Sequence, residues 1–216
     1  MSVKRVGILI SGRGSNMASL IAAAAQPGFP AEIVTVISNR PNAEGLARAA
    51  EAGIKTVALD HKAYADRPAF DVALDEALRA ADVDIVCLAG FMRLLTPEFT
   101  RSWQGRMINI HPALLPSFKG LHTHERALIE GVKIHGCTVH FVTAEMDVGP
   151  IIMQAAVPVM EDDTPSSLGT RVLAQEHVIY PAALRLVCEG RAKIDGARAV
   201  IDEFGRADRA LVVPGA

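Results

Sequence analysis

The chain has 216 residues, half of them hydrophobic, and its 22 basic and 24 acidic side chains give a formal net charge of -2 at pH 7. This length predicts one globular domain over residues 1–216, because it falls short of a comfortable two-domain length. The balanced charge excludes an electrostatic argument for a nucleic acid partner, and the lack of any run of about eighteen apolar residues argues against a membrane span. Any anionic ligand must therefore be held by local chemistry.

The three cysteines, Cys87, Cys137 and Cys188, are widely separated, and each lies in an apolar run. This pattern is typical of buried free thiols in a reducing compartment, so we expect no disulfide. The N-terminal segment lacks the small-residue cleavage site of a secretory signal. We therefore predict a cytoplasmic location.

A β-branched run at residues 3–10, a Ser-Gly-Arg-Gly-Ser-Asn loop and an alanine-rich segment at residues 17–25 predict a strand, a glycine loop and a helix. Glycines such as Gly14 permit a tight turn in the loop. We expect Ser15 or Asn16 to cap the helix, which leaves its first N–H groups free to hold an anion. A phosphate group would fit there, although the glycines serve a plain βα turn equally well.

This loop matches the dinucleotide motif G-x-G-x-x-G only weakly, because Met17 stands where the third glycine belongs. The second predicted strand, at residues 32–37, also lacks an acidic residue near its carboxyl end to hold a ribose diol. We therefore favour a phosphate monoester over a nicotinamide cofactor.

The βα alternation then continues with a helix at residues 43–52, a strand at 55–59, a helix at 68–81 and a strand at 84–89. Arg67 precedes the second of these helices. Its side chain is either a solvated charge or a contact for an acidic ligand tail. Met92, Leu94 and Leu95 follow the second strand at its carboxyl end, where sites form in α/β folds. They could line a slot for a flat ring, but core packing explains them equally well.

After a short helix that holds the only tryptophan, Trp103, a strand at residues 107–111 carries Asn109 and His111. Their spacing of two directs both side chains to the same face of an extended backbone. Pro112 stops the strand and biases the preceding residue toward the extended region. We therefore expect His111 at a strand tip, where α/β folds bind their ligands.

An amide, an imidazole and a carboxylate converge if Asp147, in a later polar loop, approaches Asn109 and His111. These groups suit an acyl transfer, because Asn109 and His111 can donate to the oxyanion of a tetrahedral state. The carboxylate would favour protonated His111 and could accept, directly or through a water, the proton that the attacking amine loses. Without a serine elbow or a Cys–His pair, direct transfer is preferred to a covalent intermediate.

The C-terminal part adds a helix at residues 122–131, strands at 136–143 and 150–159, and a long helix at 164–188. We expect the two strands to be antiparallel because few residues separate them. Within residues 191–216, segments 199–201 and 210–213 suggest a short terminal hairpin. The pattern predicts a single-domain α/β fold of Rossmann-like type, with a mostly parallel central sheet, an antiparallel C-terminal part and helices on both faces.

Five of the seven histidines fall between residues 111 and 140. His122 and His124 do not form the H-E-x-x-H arrangement, and no cysteine stands at ligand spacing from another, so we predict no metal site. Besides His111 and His140, we expect these histidines in caps, loops or on the surface. For His140 a supporting structural role and a catalytic one remain open.

Several motifs closely resemble those of the phosphoribosylglycinamide formyltransferase family. They are the runs at residues 11–16, 89–95, 109–116, 120–124 and 140–143, the last continuing to residues 147–150. The resemblance covers nearly the whole chain. It implies transfer of a formyl group from the co-substrate 10-formyltetrahydrofolate to the amine of glycinamide ribonucleotide, the third step of de novo purine synthesis.

The resemblance also implies roles for individual residues. The catalytic residues would be Asn109, His111 and Asp147. The ribonucleotide would be held by Gly14, Ser15, Asn16, Met17 and Glu176. The folate would be held by Arg67, Met92, Arg93, Leu94, Leu95, Asn109, Thr143, Ala144, Glu145, Met146 and Asp147. We assign residues 1–100 to the phosphate- and ribonucleotide-binding half of the domain, and residues 101–190 to its folate-binding and catalytic half.

The Asn-x-His-Pro motif with a downstream aspartate is shared by methionyl-tRNA formyltransferase and formyltetrahydrofolate hydrolase, so it indicates the donor better than the acceptor. The glycine loop, and the lack of the extra domains of those two enzymes, favour the ribonucleotide as acceptor. A nucleotide-binding oxidoreductase and a non-catalytic phosphate sensor are the alternatives from other classes. We expect only small-molecule substrates, and a monomer or homodimer.

Overall fold

A computed structural model describes residues 2–202 and residue 213 of the chain. The strands are β1 (Lys4–Ile10), β2 (Ala31–Ser38), β3 (Lys55–Ala58), β4 (Ile85–Leu88), β5 (Met107–His111), β6 (Ile134–Phe141), β7 (Ile151–Pro158), β8 (Ala192–Asp195) and β9 (Arg198–Ile201). The helices are α1 (Ser15–Ala24), α2 (Glu44–Glu51), α3 (Arg67–Ala80), α4 (Pro97–Ser102), α5 (Thr123–Ile129) and α6 (Pro165–Cys188), with a 3-10 turn at His61–Ala63.

Seven strands form one sheet in the order β3-β2-β1-β4-β5-β6-β7. The first five in this order are parallel, whereas β6 runs antiparallel to both β5 and β7. The predicted mixed α/β sheet is therefore confirmed. The chain leaves β1 toward β2 on one side and later returns to β4 on the other. Such a switch point opens a crevice at the carboxyl ends of the two central strands.

The central strand β1 is covered on both faces, which explains its uninterrupted β-branched sequence. Ile8 and Ile10 face one apolar cluster with α1 and α6, while Leu9 faces a second cluster with α3 and α4. Helix α6 is also fixed by Tyr180, whose hydroxyl bonds the carbonyls of Leu88 at 2.9 Å and Ile108 at 3.2 Å. The helix is thereby anchored to the end of β4 and to the start of β5.

The predicted capping of α1 by Ser15 or Asn16 is wrong. Gly14 occupies the N-cap with a φ of 73°, no side chain caps the helix, and both residues lie inside its first turn. Glycine adopts this left-handed conformation at little cost because it has no Cβ. The first N–H groups of α1 therefore lack a side-chain acceptor. Helix α6, in contrast, starts as predicted, with Thr164 and Ser167 forming a capping box.

Three local predictions also need correction. Arg67 is the first residue of α3 and not ahead of it, because Asp66 accepts from Ala69 N and takes the N-cap. Trp103 follows α4 as its C-cap, outside the helix. Helix α5 starts after His122, whose φ of 57° is incompatible with a helical residue.

The terminal hairpin pairs different segments from those predicted. Strand β9, which contains the predicted segment 199–201, pairs with β8 in antiparallel register. A tight turn at Gly196, with a φ of 59°, makes this local pairing possible. Residues 210–212 of the other predicted strand lie outside the described residues.

All three cysteines are buried free thiols, as predicted. Burial raises the pKa of each thiol above its ordinary value, which disfavours the reactive thiolate. Among the helices of the described residues, none is both long and apolar enough to cross a membrane.

Candidate active site

The end of β5 brings the predicted catalytic side chains together. Asn109 pairs with His140 across the antiparallel β5–β6 ladder, and their side chains are 3.2 Å apart between Nδ2 and Nε2. Asp147 reaches the same place from the loop after β6. Its Oδ2 lies 3.5 Å from Nδ1 of His111, and its Oδ1 lies 3.9 Å from Nε2 of His140. Two strands and one loop thus form a single polar cluster.

The backbone after β6 is shaped to deliver Asp147. Asp147 itself has a φ of 55°, in the left-handed region that few residues other than glycine adopt. Two residues later, a Cβ on Gly149 would overlap the carbonyl of Phe141, so only glycine lets the loop return this closely to β6. The Asp147 carboxylate also accepts the Gly120 N–H at 2.9 Å, which holds it against the neighbouring loop.

Both ring nitrogens of His111 face acceptors. Nε2 lies 2.9 Å from the carbonyl oxygen of Phe118, which can only accept, so this nitrogen carries a hydrogen. Nδ1 faces the carboxylate of Asp147. The side chain of His111 is only 6 % exposed, so water does not replace these partners. His111 can therefore donate from Nε2, and the Asp147 carboxylate lies beside its second ring nitrogen.

His140 is arranged as a neutral acceptor. Its Nδ1 donates to the carbonyl of Phe141 at 2.9 Å, which leaves Nε2 to accept from Asn109. Burial lowers the pKa of His140, although the Phe141 carbonyl and the Asp147 carboxylate oppose this shift. One hydrogen of the Asn109 amide is thereby fixed, and the second remains available to a ligand.

A buried clamp holds the turn that follows His111. Thr138 Oγ1 accepts from Leu115 N at 3.0 Å and donates to the Ala113 carbonyl at 2.7 Å. Gln154 donates to the Leu115 carbonyl at 2.9 Å. Sequence reasoning missed both Thr138 and Gln154. Their only sequence signal is a polar side chain within a strand: Gln154 lies in the otherwise apolar β7, and Thr138 lies in β6, which also contains His135 and His140.

A cleft of about 580 Å³ opens at the carboxyl ends of β1 and β4, between the starts of α1 and α6. Its lining comprises Ser11, Gly12, Arg13, Gly14, Ser15, Asn16, Arg40, Ala89, Gly90, Met92, Ile110, Pro112, His124, Pro165, Ser166, Gly169, Thr170, Leu173 and Glu176. Ile110 and Pro112 are the chain neighbours of His111. The cleft therefore reaches from the glycine loop to the backbone on either side of His111, whereas Asn109, His111 and Asp147 do not line it.

Four of the five residues predicted for the ribonucleotide line this cleft. Asn16 donates to Glu176 at 2.6 Å, although 160 positions separate them in the chain. Burial raises the pKa of Glu176, and the bond from Asn16 opposes that shift. Met17 differs, because its side chain is fully buried in the core and lies outside the cleft.

The residues predicted for the folate are spread more widely. Met92 lines the cleft and is 62 % exposed, and Leu94 is 52 % exposed, so both are open to a ligand. Arg93 instead stacks on Phe70, with Cζ 4.6 Å from the ring centroid. Leu95 is half-buried against the second apolar cluster.

The loop predicted to contact the folate, residues 143–147, is largely open. Ala144, Glu145 and Met146 are exposed, and the Thr143 hydroxyl bonds the Glu145 carbonyl at 3.3 Å. Arg67 is exposed on α3, and within the described residues its guanidinium has no hydrogen-bond or ion-pair partner. The structure therefore does not connect Arg67 to the catalytic cluster.

Ser11 was not predicted as a site residue, yet it ties two parts of the site together. Its hydroxyl donates to Asn39 Oδ1 at 2.5 Å and accepts from Met92 N at 2.7 Å. Its own N–H donates to the Gly90 carbonyl at 3.2 Å. The glycine loop after β1 is thus joined to the segment after β4 that carries Met92. Its place between a buried strand and the glycine loop is the only sequence signal.

His124 and His135 form a separate pair, with Nδ1 and Nε2 3.2 Å apart. His135 is fully buried in β6, so the prediction of a cap, loop or surface position is wrong for it. Burial, reinforced by His124, lowers the pKa of His135 to about 4. The described residues contain no group of three or more His, Cys, Asp or Glu side chains that could hold a metal ion.

A family profile described as formyl transferase matches residues 4–184. Together with the fold, this match defines the chain as a formyl transferase domain. The chain is 44 % identical over 195 residues to the phosphoribosylglycinamide formyltransferase of Escherichia coli strain K12, covering 90 % of this chain and 92 % of that protein. It therefore belongs to the phosphoribosylglycinamide formyltransferase family, as the sequence motifs predicted.

Other relatives agree with this assignment. The crystal structure of glycinamide ribonucleotide transformylase 1 from Symbiobacterium toebii has a TM-score of 0.91 and 50 % identity, covering 93 % of this chain and 95 % of that chain. The trifunctional purine biosynthetic protein adenosine-3 of Bos taurus is 52 % identical over 190 residues, which is 88 % of this chain. The chain spans only 19 % of the length of that relative.

Proposed function

We propose that this chain transfers the formyl group of 10-formyltetrahydrofolate to the amino group of glycinamide ribonucleotide. The products are formylglycinamide ribonucleotide and tetrahydrofolate, in de novo purine biosynthesis. The observation that carries the proposal is the buried cluster at the end of β5, where Asn109, His111 and Asp147 meet. Family membership and the names of the full-length relatives support the choice of substrates.

In the proposed mechanism the substrate amine attacks the formyl carbon directly. The carbonyl oxygen becomes an oxyanion, and Asn109 Nδ2 and protonated His111 donate to it. The Nε2–H of His111 now bonds the neutral Phe118 carbonyl. Exchanging that carbonyl for the oxyanion creates a charge-assisted hydrogen bond, which is stronger in the transition state than in the resting enzyme.

Asp147 is proposed to accept the proton released in this step. The carboxylate takes the proton that the amine loses on forming the new C–N bond, directly or through a water. The oxyanion then re-forms the carbonyl, the bond from the formyl carbon to the folate nitrogen breaks, and the proton held by Asp147 passes to that nitrogen, directly or through a water. Because Asp147 also faces Nδ1 of His111, it supports the positive charge on the imidazole during the same step. His140 positions Asn109 by accepting its first amide hydrogen.

The two substrates are proposed to bind on opposite sides of the cluster. The ribonucleotide occupies the cleft, with its phosphate at the start of α1 and its glycinamide end toward His111, where Glu176 and Asn16 line the path. The folate lies along Met92 to Leu95 and the loop at residues 143–147, with Arg67 as a partner for its acidic tail. The proposed reaction uses no metal. A cytoplasmic monomer or homodimer remains our prediction for the protein's location and assembly.

A turnover assay with 10-formyltetrahydrofolate, in the presence or absence of glycinamide ribonucleotide, tests the proposal. We expect formyl-folate to be consumed only when the ribonucleotide is present, with one amine formylated for each folate released. Folate consumption without the ribonucleotide would instead identify a hydrolase. No reaction in either mixture, with both ligands still bound, would identify a binding protein that keeps the fold without the chemistry.

A further inference from the structure

Two arginines in the cleft have no role in the mechanism above. Arg13 lies within the glycine loop, Arg40 follows β2, and both line the cleft beside Ser15. Neither guanidinium has a hydrogen-bond or ion-pair partner within residues 2–202. By comparison, Arg171, on the first half of α6, is fully engaged with Asp163 at 2.7 Å.

The backbones that carry these arginines are fixed. Arg40 N donates to Ser38 Oγ at 3.1 Å, and Ser38 Oγ donates in turn to the Arg40 carbonyl at 2.9 Å. Beside Arg13, the Gly12 carbonyl accepts from Gly45 N at 3.0 Å, which ties the glycine loop to the start of α2. Two anchored positions on neighbouring strand ends therefore present long cationic side chains to one cleft.

The same end of the cleft is already suited to an anion. Helix α1 has ten residues, no side-chain cap and no acidic residue in its first turn, so its positive dipole end is not neutralised. Asn16 is only 9 % exposed, and its Oδ1 has no hydrogen-bond partner. Among the described residues that line the cleft, Glu176 carries the only carboxyl group, and burial favours its neutral form.

We propose that Arg13 and Arg40 form a two-guanidinium clamp for the phosphate dianion of the acceptor substrate. This inference rests on the proposed function and names two residues that determine its preference for a phosphorylated acceptor. Backbone N–H groups at the start of α1 contribute neutral donors, whereas guanidiniums contribute full charge and bidentate geometry to phosphate oxygens. The clamp holds the end of the substrate that does not react, so it acts on binding and leaves the chemical step unchanged.

The test compares glycinamide ribonucleotide with the same compound lacking its phosphate, in wild type, Arg13→Gln, Arg40→Gln and the double variant. Each single variant should raise KM for the ribonucleotide by about tenfold and the double variant by about a hundredfold, as expected for loss of charge-assisted bonds. The kcat value and KM for the dephosphorylated acceptor should stay at the wild-type level. Inorganic phosphate should inhibit wild type competitively and the double variant much less.

Two further variants provide controls. Arg13→Lys keeps the charge but loses the bidentate geometry, so its KM should fall between those of wild type and Arg13→Gln. Arg101→Gln removes an exposed guanidinium from α4, outside the cleft, and should leave every constant unchanged.

The possible outcomes distinguish failure of the arginine clamp from failure of the proposed formyl transfer. If the ratio of KM values for the two acceptors is the same in wild type and in the double variant, the proposal of an arginine clamp is wrong. If the variants lose activity equally with both acceptors, the arginines serve the structure and the clamp is again wrong. If wild type shows no preference for the phosphorylated acceptor, the clamp and the phosphate site at α1 both fail, while acceptor-dependent formyl transfer itself would still stand.

Discussion

The polar cluster at the end of β5, proposed as catalytic, and the cleft at the start of α1, proposed to bind the ribonucleotide, differ in how their polar groups are partnered. At the end of β5, His111, His140 and Asp147 are nearly buried, and each bonds or faces another protein group. At the start of α1, the guanidiniums of Arg13 and Arg40 and the Oδ1 of Asn16 have no partner within the described chain. In the first region the charged and imidazole side chains are paired with other protein groups. In the second region two guanidiniums and an amide oxygen are unpaired in the part of the chain that the structure describes.

The proposed function explains this difference. Groups that stabilise a transition state must be oriented before the reaction, because reorganising them during the step would cost free energy. Groups that bind a charged ligand can instead be hydrated before binding, because the ligand replaces water as their hydrogen-bond partner. The comparison predicts that changes in the cluster affect kcat, whereas changes in the cleft affect KM.

The largest effect is expected for the two charged members of the cluster. His111→Ala and Asp147→Asn should each lower kcat by about 10³-fold, because each removes a proton-transfer or oxyanion partner. Affinity for the ribonucleotide should be nearly kept, as measured by calorimetry. His122→Ala, which changes an exposed histidine paired with Glu125, is the matched control. Near-normal turnover in both cluster variants would contradict the mechanism.

Asn109→Ala should lower kcat by about 10²-fold, since it removes one of two proposed oxyanion donors. It also leaves Nε2 of His140 without its donor. His140→Ala should give a smaller loss of kcat, because Asn109 keeps its amide and loses only its orientation. Single-turnover kinetics of both variants test this order, and a larger effect for His140→Ala would show that His140 itself takes part in the chemistry.

Ser11 sharpens the comparison, because it joins the glycine loop to Met92. Ser11→Ala leaves the part-buried Met92 N–H without its partner, and the loss of such a hydrogen bond costs about 0.5–1.5 kcal/mol. We expect KM for 10-formyltetrahydrofolate to rise by about tenfold with little change in kcat. Ser102→Ala removes a local hydroxyl bond on α4 and should change neither constant. A loss of kcat alone in Ser11→Ala would contradict the assigned position of the folate.

The smallest effect concerns stability and pH, at the buried His135. Its folded-state pKa of about 4 lies below the ordinary value of 6.5, so the unfolded chain binds the extra proton first. The free energy of unfolding should therefore fall as the pH drops from about 6.5 to about 4, by at most about 1.4 kcal/mol per pH unit. Urea unfolding of wild type and His135→Gln measures this slope.

His135→Gln should flatten that slope, whereas His122→Gln, which changes an exposed histidine, should leave it as in wild type. An unchanged slope in His135→Gln would assign the acid sensitivity to other groups. Turnover at neutral pH should remain close to wild type in both variants, because neither histidine belongs to the catalytic cluster.

Much of this molecule was determined by local sequence patterns. Strands such as β1 were predictable because a strand covered on both faces requires a continuous apolar run. The spacing of Asn109 and His111, followed by Pro112, was sufficient to place both on one face at a strand end, because strand periodicity is a local property. The motifs also predicted the family, which the relatives confirm.

Only the tertiary structure decided which distant groups meet. Three hydrogen bonds join segments that are far apart in the chain. Asn16 bonds Glu176, Thr138 bonds the turn after His111, and Ser11 bonds Met92. No local pattern encodes such contacts, because they depend on strand order and on how α6 packs across the sheet. The left-handed Gly14 cap is a further example, because competing local conformations are close in free energy until the fold selects one.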